Sequence, residues 1–124
     1  MDQDNAALRV DHVLLAVNDL AQAAGVLNDR YGLVSAEGGR HPQWGTANRI
    51  IPVGDAYLEL IAVVDPNRVR DSAFGRWVAG AQPGIMHPLG WAVRGLGVDD
   101  VAQRLDLAIE AGSRAAPDGR LVEW

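Results

Sequence analysis

At 124 residues, with 48% hydrophobic and 22% charged residues, the chain fits one soluble-type domain with a real core. A net charge of −5 with basic residues scattered along the chain argues against nucleic acid as a partner, and no apolar run approaches a membrane span. All 11 basic residues are arginine, cysteine is absent and serine occurs three times, which excludes Schiff-base, thiolate and disulfide chemistry and leaves a serine hydrolase without support.

The acidic start, Met1-Asp2-Gln3-Asp4, lacks the basic and apolar regions of a signal peptide, so the cytoplasm is the expected location. Val10–Val17 reads as a strand buried on both faces. Asp19 is the expected N-cap of a helix carrying Leu20, Ala24, Leu27 and Tyr31 on one side, with Gly32 as its left-handed stop. Leu33–Ala36 reads as a short strand and Glu37–Gly45 as a loop. Thr46–Val53 and Ala56–Val64 read as strands joined by a Gly54-Asp55 hairpin turn. After a linker at Asp65-Pro66-Asn67, a short helix is expected from about Asp71, with Phe74, Trp77 and Val78 on one side. Gly80–Pro88 is a Gly/Pro-containing loop, Leu89–Arg94 a strand, and Asp99 or Asp100 the cap of a helix with Val101, Leu105, Ala108 and Ile109 on its apolar face. Gly112 is the expected end of that helix, and Leu121–Trp124 the start of a last strand.

The two halves resemble each other. Val17-Asn18-Asp19-Leu20-Ala21-Gln22 matches Val98-Asp99-Asp100-Val101-Ala102-Gln103, and Gly32 and Gly112 keep nearly the same spacing. The expected class is α+β: a βαβββ module at about 8–64, a linker with a short helix at 65–88, and an incomplete second copy at 89–124.

The chemistry is concentrated in two strands. His12 interrupts Val10-Asp11-His12-Val13-Leu14, and Glu59 interrupts Tyr57-Leu58-Glu59-Leu60-Ile61. A carboxylate in a half-buried strand is costly unless paired, hydrogen-bonded or bound to a metal. An imidazole and a carboxylate on neighbouring strands supply two donors of the kind divalent cations take. The plainer readings are a core histidine bonded to a carbonyl, and a glutamate paired with an arginine such as Arg49.

These residues, with Gly39–Arg49, Tyr57–Ala62 and Leu89-Gly90-Trp91-Ala92-Val93-Arg94, resemble the vicinal oxygen chelate superfamily, in particular its glyoxalase-like branch. The resemblance covers nearly the whole chain. It implies two βαβββ modules whose sheets curl around a pocket, and a divalent metal (Zn, Fe, Mn, Ni or Mg) that chelates substrate oxygens, with no organic cofactor. It places His12 and Glu59 at the first module's metal positions, with Glu59 doubling as general base. The corresponding place in the second module is about Gly90, which has no ligating side chain, so an intact four-ligand site is not expected. His87 lies too far along an extended strand to replace it.

The activity implied is that of a lyase, isomerase or dioxygenase on a small oxygen-rich molecule. The competing function is a metal-free module holding a small apolar or aromatic ligand. Asn48, Tyr57, Arg94 and His41 are candidate substrate-binding residues, against the alternatives of hydrogen bonding within the sheet and, for His41, a solvated loop. Trp44, Trp77 and Trp91 read as core or rim packing. Uncovered strand edges toward Trp124 lead to the expectation of a homodimer, or of a piece of a longer protein.

Overall fold

The computed structural model describes residues 8–81, 84–95 and 97–124. Strand β1 (Arg9–Ala16) leads into helix α1 (Leu20–Tyr31), followed by β2 (Ala36–His41), β3 (Thr46–Val53) and β4 (Ala56–Val63). A one-turn 3-10 helix at Arg68–Asp71 and helix α2 (Ala73–Gly80) come next, then β5 (His87–Arg94), helix α3 (Val98–Arg104), β6 (Ser113–Ala115) and β7 (Leu121–Glu123). The strands form one mixed sheet in the order β5-β1-β4-β3-β2-β6-β7. The α+β class holds.

Helix α1 forms as its signals require. The Asp19 carboxylate accepts from the Gln22 amide at 2.8 Å, and Gly32 closes the helix at φ 66°. Its buried side, Ala23 and Leu27, packs with Val17, Ile51, Leu60 and Ala62 on one face of the sheet. Burying these aliphatic side chains is the main stabilising contribution, about 1.5–3 kcal/mol for each of the larger ones. β3 and β4 pair from Thr46↔Val63 to Val53↔Ala56, and Gly54, at φ 63°, supplies the positive φ of the two-residue turn.

The opposite face carries the polar residues. β1 runs parallel to β4 with His12 beside Tyr57 and Leu14 beside Glu59, and β5 pairs antiparallel with the other edge of β1. Because side chains alternate along a strand, His12, Leu14, Tyr57, Glu59, Ile61, Asn48 and Thr46 share this second face. Three register shifts interrupt these ladders, one of them between Leu14↔Gly90 and Leu15↔Pro88, where Leu89 is inserted in β5. Between Val10↔Val93 and His12↔Ala92 the residue Asp11 is inserted in β1, and between Glu37↔Arg49 and Gly39↔Asn48 the residue Gly38 is inserted in β2.

Several local expectations are corrected. Leu33–Ala36 is not a strand; the strand is Ala36–His41, within the supposed loop, because it is paired on both sides, by β3 and by β6. The short helix begins at Ala73, capped by the Ser72 hydroxyl on the Gly75 amide. Helix α3 is capped by Gly97, not by Asp99 or Asp100, which lie in its first turn where carboxylates suit the helix dipole. It ends at Arg104, well before Gly112; Leu105 and Ile109 are exposed, and with so little of the intended apolar face covered the helix does not extend. Gly112 instead exchanges two backbone hydrogen bonds with Trp124, at 2.9 Å each, extending the β6–β7 ladder. Trp91 is exposed on β5 and does not pack in the core.

Candidate functional site

Parallel pairing brings His12 and Glu59 together. Tyr57 is level with His12, so Glu59 stands two residues further along β4, and His12 Nε2 lies 3.2 Å from Glu59 Oε2. Each of the two is held from behind. His12 Nδ1 donates to Asp11 Oδ2 at 2.7 Å, a contact between sequence neighbours that the bulge at Asp11 accompanies. Asn48 Nδ2 donates to the other oxygen of Glu59, Oε1, at 2.7 Å. Tyr57 stacks on the imidazole, with ring centroids 4.6 Å apart and planes 11° apart. Arg94 reaches over from β5 to Asp11 Oδ1 at 3.2 Å and to the carbonyl of Asp55 at 2.9 Å.

The electrostatics follow from this arrangement. Both nitrogens of His12 face carboxylates, which only accept, so both carry protons. Burial opposes the imidazolium, but hydrogen bonds and charge from Glu59 and Asp11 outweigh it and raise the His12 pKa above its ordinary value. For Glu59, burial pushes upward and is outweighed by hydrogen bonds from His12 and Asn48 and by the charges of His12 and His41, so its pKa is lowered. Asp11 is lowered likewise, with burial overcome by His12 and Arg94. Burial, then the negative charges of Glu59 and Asp11, push the Tyr57 hydroxyl up to about 12.

His41 is no loop residue. It ends β2, only 2% exposed, with Nδ1 at 2.9 Å from the Thr46 hydroxyl, and its ring meets Trp44 and Trp124. Burial depresses its pKa; Glu59 raises it and Arg114 lowers it further. Trp44 continues to Phe74, with centroids 4.5 Å apart, and Phe74 to Trp77, forming an aromatic chain beside the polar group. Trp77 lies over Gly90, where an added Cβ would come 2.8 Å from its ring. His87 stands opposite Ala16, away from His12. Arg49 does not pair with Glu59; it donates to the Ser35 hydroxyl and carbonyl.

The donor set of His12 and Glu59 suits a divalent ion. The 3.2 Å between Nε2 and Oε2 is that of an ion pair, so Nε2 would have to give up its proton before the two could share an ion. The Asp11 bond to the far nitrogen is the usual support for a ligating histidine. Among the described residues no group of three or more His, Cys, Asp or Glu surrounds this point, so protein donors beyond the pair are not provided by them.

Sequence reading overlooked Asp11 and Arg114. Asp11 is adjacent to His12 and acidic, a signal present in the sequence, yet alternation along a strand sends neighbours to opposite faces unless a bulge intervenes. Arg114 carries no local signal at all.

Fold and site together define a class. The chain matches the model of a family described as a glyoxalase-like domain over residues 10–124, and it belongs to that family, within the vicinal oxygen chelate superfamily. Among solved structures, a hypothetical protein from Staphylococcus aureus superposes with a TM-score of 0.70 at 17% identity, covering 95% of this chain and 51% of the other. The chain thus spans about half the length of that protein. Methylmalonyl-CoA epimerase from Mycobacterium tuberculosis gives a TM-score of 0.64 at 21% identity, covering 92% of this chain and 84% of the epimerase. A methylmalonyl-CoA epimerase in complex with methylmalonyl-CoA and NH4+ gives 0.61 at 20% identity, covering 95% and 93%. These likenesses are of fold. No curated protein matches the sequence. Among the described residues no helix is long and apolar enough to cross a membrane.

Proposed function

We propose that this chain is a glyoxalase-like enzyme, or a part of one, that moves a proton at a carbon beside an oxygen-bearing group of a small oxygen-rich molecule. In this reading Glu59 is the base, and β1–β4 with β5–α3 form one βαβββ module followed by part of a second copy. The repeat of strand and helix order supports the second point, as does the pairing of β5 against β1. One observation carries the function: a 7%-exposed carboxylate with each oxygen held by a separate donor, His12 on one side and Asn48 on the other. Such a carboxylate is already oriented before any ligand arrives.

His12 and Glu59 would hold a divalent ion, with the remaining positions filled by substrate oxygens, water or a second copy of the chain. When bound, such an ion acts as a Lewis acid toward a carbonyl or enediol oxygen. The protein's own residues do the rest. Asp11 keeps the proton on His12 Nδ1 and so fixes which nitrogen faces Glu59. Loss of the His12 hydrogen bond would remove one of the influences that lower the Glu59 pKa, while Asn48 and the charge of His41 still lower it, and Glu59 would serve as the base only once it has left the ion. Tyr57 holds the imidazole plane by stacking, and its hydroxyl stays protonated at neutral pH. The neighbouring epimerases support isomerase-type proton transfer over the other chemistries expected from the resemblance.

A metal-free binding module is the second reading, favoured by the ring contacts running through Trp124, Trp44, Phe74 and Trp77 on the same side. Metal analysis of protein purified without chelator, followed by calorimetric titration, separates the two. The enzyme reading expects one divalent ion per chain, bound at least about tenfold more weakly by His12→Ala and Glu59→Ala. It also expects Glu59-dependent deuterium uptake from heavy water into 2-oxo acids or acyl thioesters. Absence of ion binding, with deuterium uptake absent across that panel, sinks it.

A further inference from the structure

The second face of the sheet holds one more charge. Arg40 pairs with Ala115 across β2 and β6, so the alternation puts Arg114 on the same side as His41, the side of the candidate site. Its guanidinium donates to the carbonyl of Gly38 at 2.5 Å. Gly38 in turn lies against Asn48: a Cβ built there would fall 2.1 Å from Asn48 Oδ1. Asn48 then holds Glu59. Three successive contacts therefore link Arg114 to the carboxylate at the centre of the site, and the charge of Arg114 is felt at both His41 and Tyr57.

Within the site the other charges are matched. Glu59 faces His12, and Asp11 faces His12 and Arg94. Arg114 is half-buried, yet among the described residues it makes no ion pair and donates to a neutral carbonyl, that of Gly38. The exposed Arg68, Arg104 and Arg120 each pair with an aspartate, where solvent makes the pair of little value. A half-buried guanidinium whose hydrogen bond among the described residues goes to a neutral carbonyl keeps N–H donors for an oxyanion.

We infer that Arg114 anchors an oxyanion of the ligand, so that the substrate is a small anionic molecule whose charged group sits at Arg114 while its reacting carbon lies toward His12 and Glu59. This deepens the proposed function and rests on its placement of the reaction at Glu59. The anion is a carboxylate or a phosphate group, chemistry that Arg recognises in the same forked manner.

The test is an NMR titration of the full chain, without added metal, using succinate, its uncharged counterpart succinamide, and inorganic phosphate. Wild type, Arg114→Gln, Arg114→Lys and the opposite-face control Arg40→Gln are compared. Succinate or phosphate is expected to shift the Arg114 Nε–H signal and the amides of Gly38 and Asn48, with affinity reduced at least tenfold in Arg114→Gln and little changed in Arg40→Gln. Arg114→Lys is expected to retain part of the affinity. Preference for phosphate assigns a phosphate ester, and preference for succinate a carboxylate. Equal binding of succinate and succinamide by wild type, or of the anions by wild type and Arg114→Gln, overturns the assignment. The Arg114 Nε–H response in wild type decides the matter even if Arg114→Gln fails to fold. Glu59→Gln tells the two readings apart: it removes proton transfer, whereas anion binding at Arg114 persists.

Discussion

Gly38→Ala tests whether the support behind Glu59 is as tight as the geometry states. The new methyl would lie 2.1 Å from Asn48 Oδ1, 2.8 Å from its Cγ and 3.2 Å from Ile50 Cγ1. Asn48 cannot swing aside without cost, because it is 4% exposed and its Nδ2 bonds Glu59 at 2.7 Å. Giving up a hydrogen bond to a buried carboxylate costs about 1.5–3 kcal/mol. Shifting β2 instead is an overpacking cost of about 1–3 kcal/mol. The cheaper response wins, so the expected loss is about 2 kcal/mol, or a fall in Tm of roughly 6–10 °C for a domain of this size. With Asn48→Ala already present, the two tightest contacts are gone and the next is Ile50 Cγ1 at 3.2 Å, so the added loss should be below about 0.5 kcal/mol. Urea denaturation followed by tryptophan fluorescence across the four-protein cycle gives the coupling, expected near 1.5 kcal/mol. Additivity within about 0.5 kcal/mol would show that Asn48 is not locked against Gly38, and the reasoning would fail.

Asp11→Ala should weaken divalent-ion affinity by about 10–100-fold while leaving both donors in place, because it removes the group that orients His12; unchanged affinity by calorimetry would deny Asp11 that role. His41 should make stability depend on pH. Burial holds its folded pKa below the ordinary 6.5, so between the two values the unfolded chain binds more protons and stability falls as pH drops below about 6.5. His12, with its raised pKa, acts in the opposite sense, its contribution being lost as pH rises through the folded value, while the lowered Glu59 and Asp11 lose theirs only under more acidic conditions. The measurement is therefore the difference between wild type and His41→Gln in denaturation at about pH 7 and about pH 5, which should shrink toward acid; a constant difference would show that His41 does not titrate as placed.

Sequence signals worked wherever one residue and its near neighbours decide the outcome. Asp19 and Gly32 bracket α1 because a cap needs only a side-chain oxygen or a free positive φ, and Gly54 ends β3 for the same reason. His12 and Glu59 stood out because ionisable groups inside apolar strands need partners, and each is the other's partner. Signals failed where pairing partners decide. Ala36–His41, with two glycines and three charged or ionisable residues, has no strand pattern of its own and becomes a strand because β3 and β6 flank it. Gly112 carries the same local signal as Gly32 but terminates no helix.

The supports of the site were unreadable for one physical reason. Alternation predicts that Asp11 and His12 point to opposite faces, and that a residue at position 38 needs its own space beside Asn48. Both rules are suspended at a bulge, where an inserted residue shifts the ladder by one. A bulge depends on the register of a partner strand, which for β1 is the distant β5. The first insertion sets Asp11 against the imidazole, and the second brings bare backbone against Asn48 and turns a carbonyl toward Arg114. The two residues that would touch a substrate oxygen or an ion are thus legible from their chemical type, whereas the groups that hold them in place follow from irregularities of the sheet.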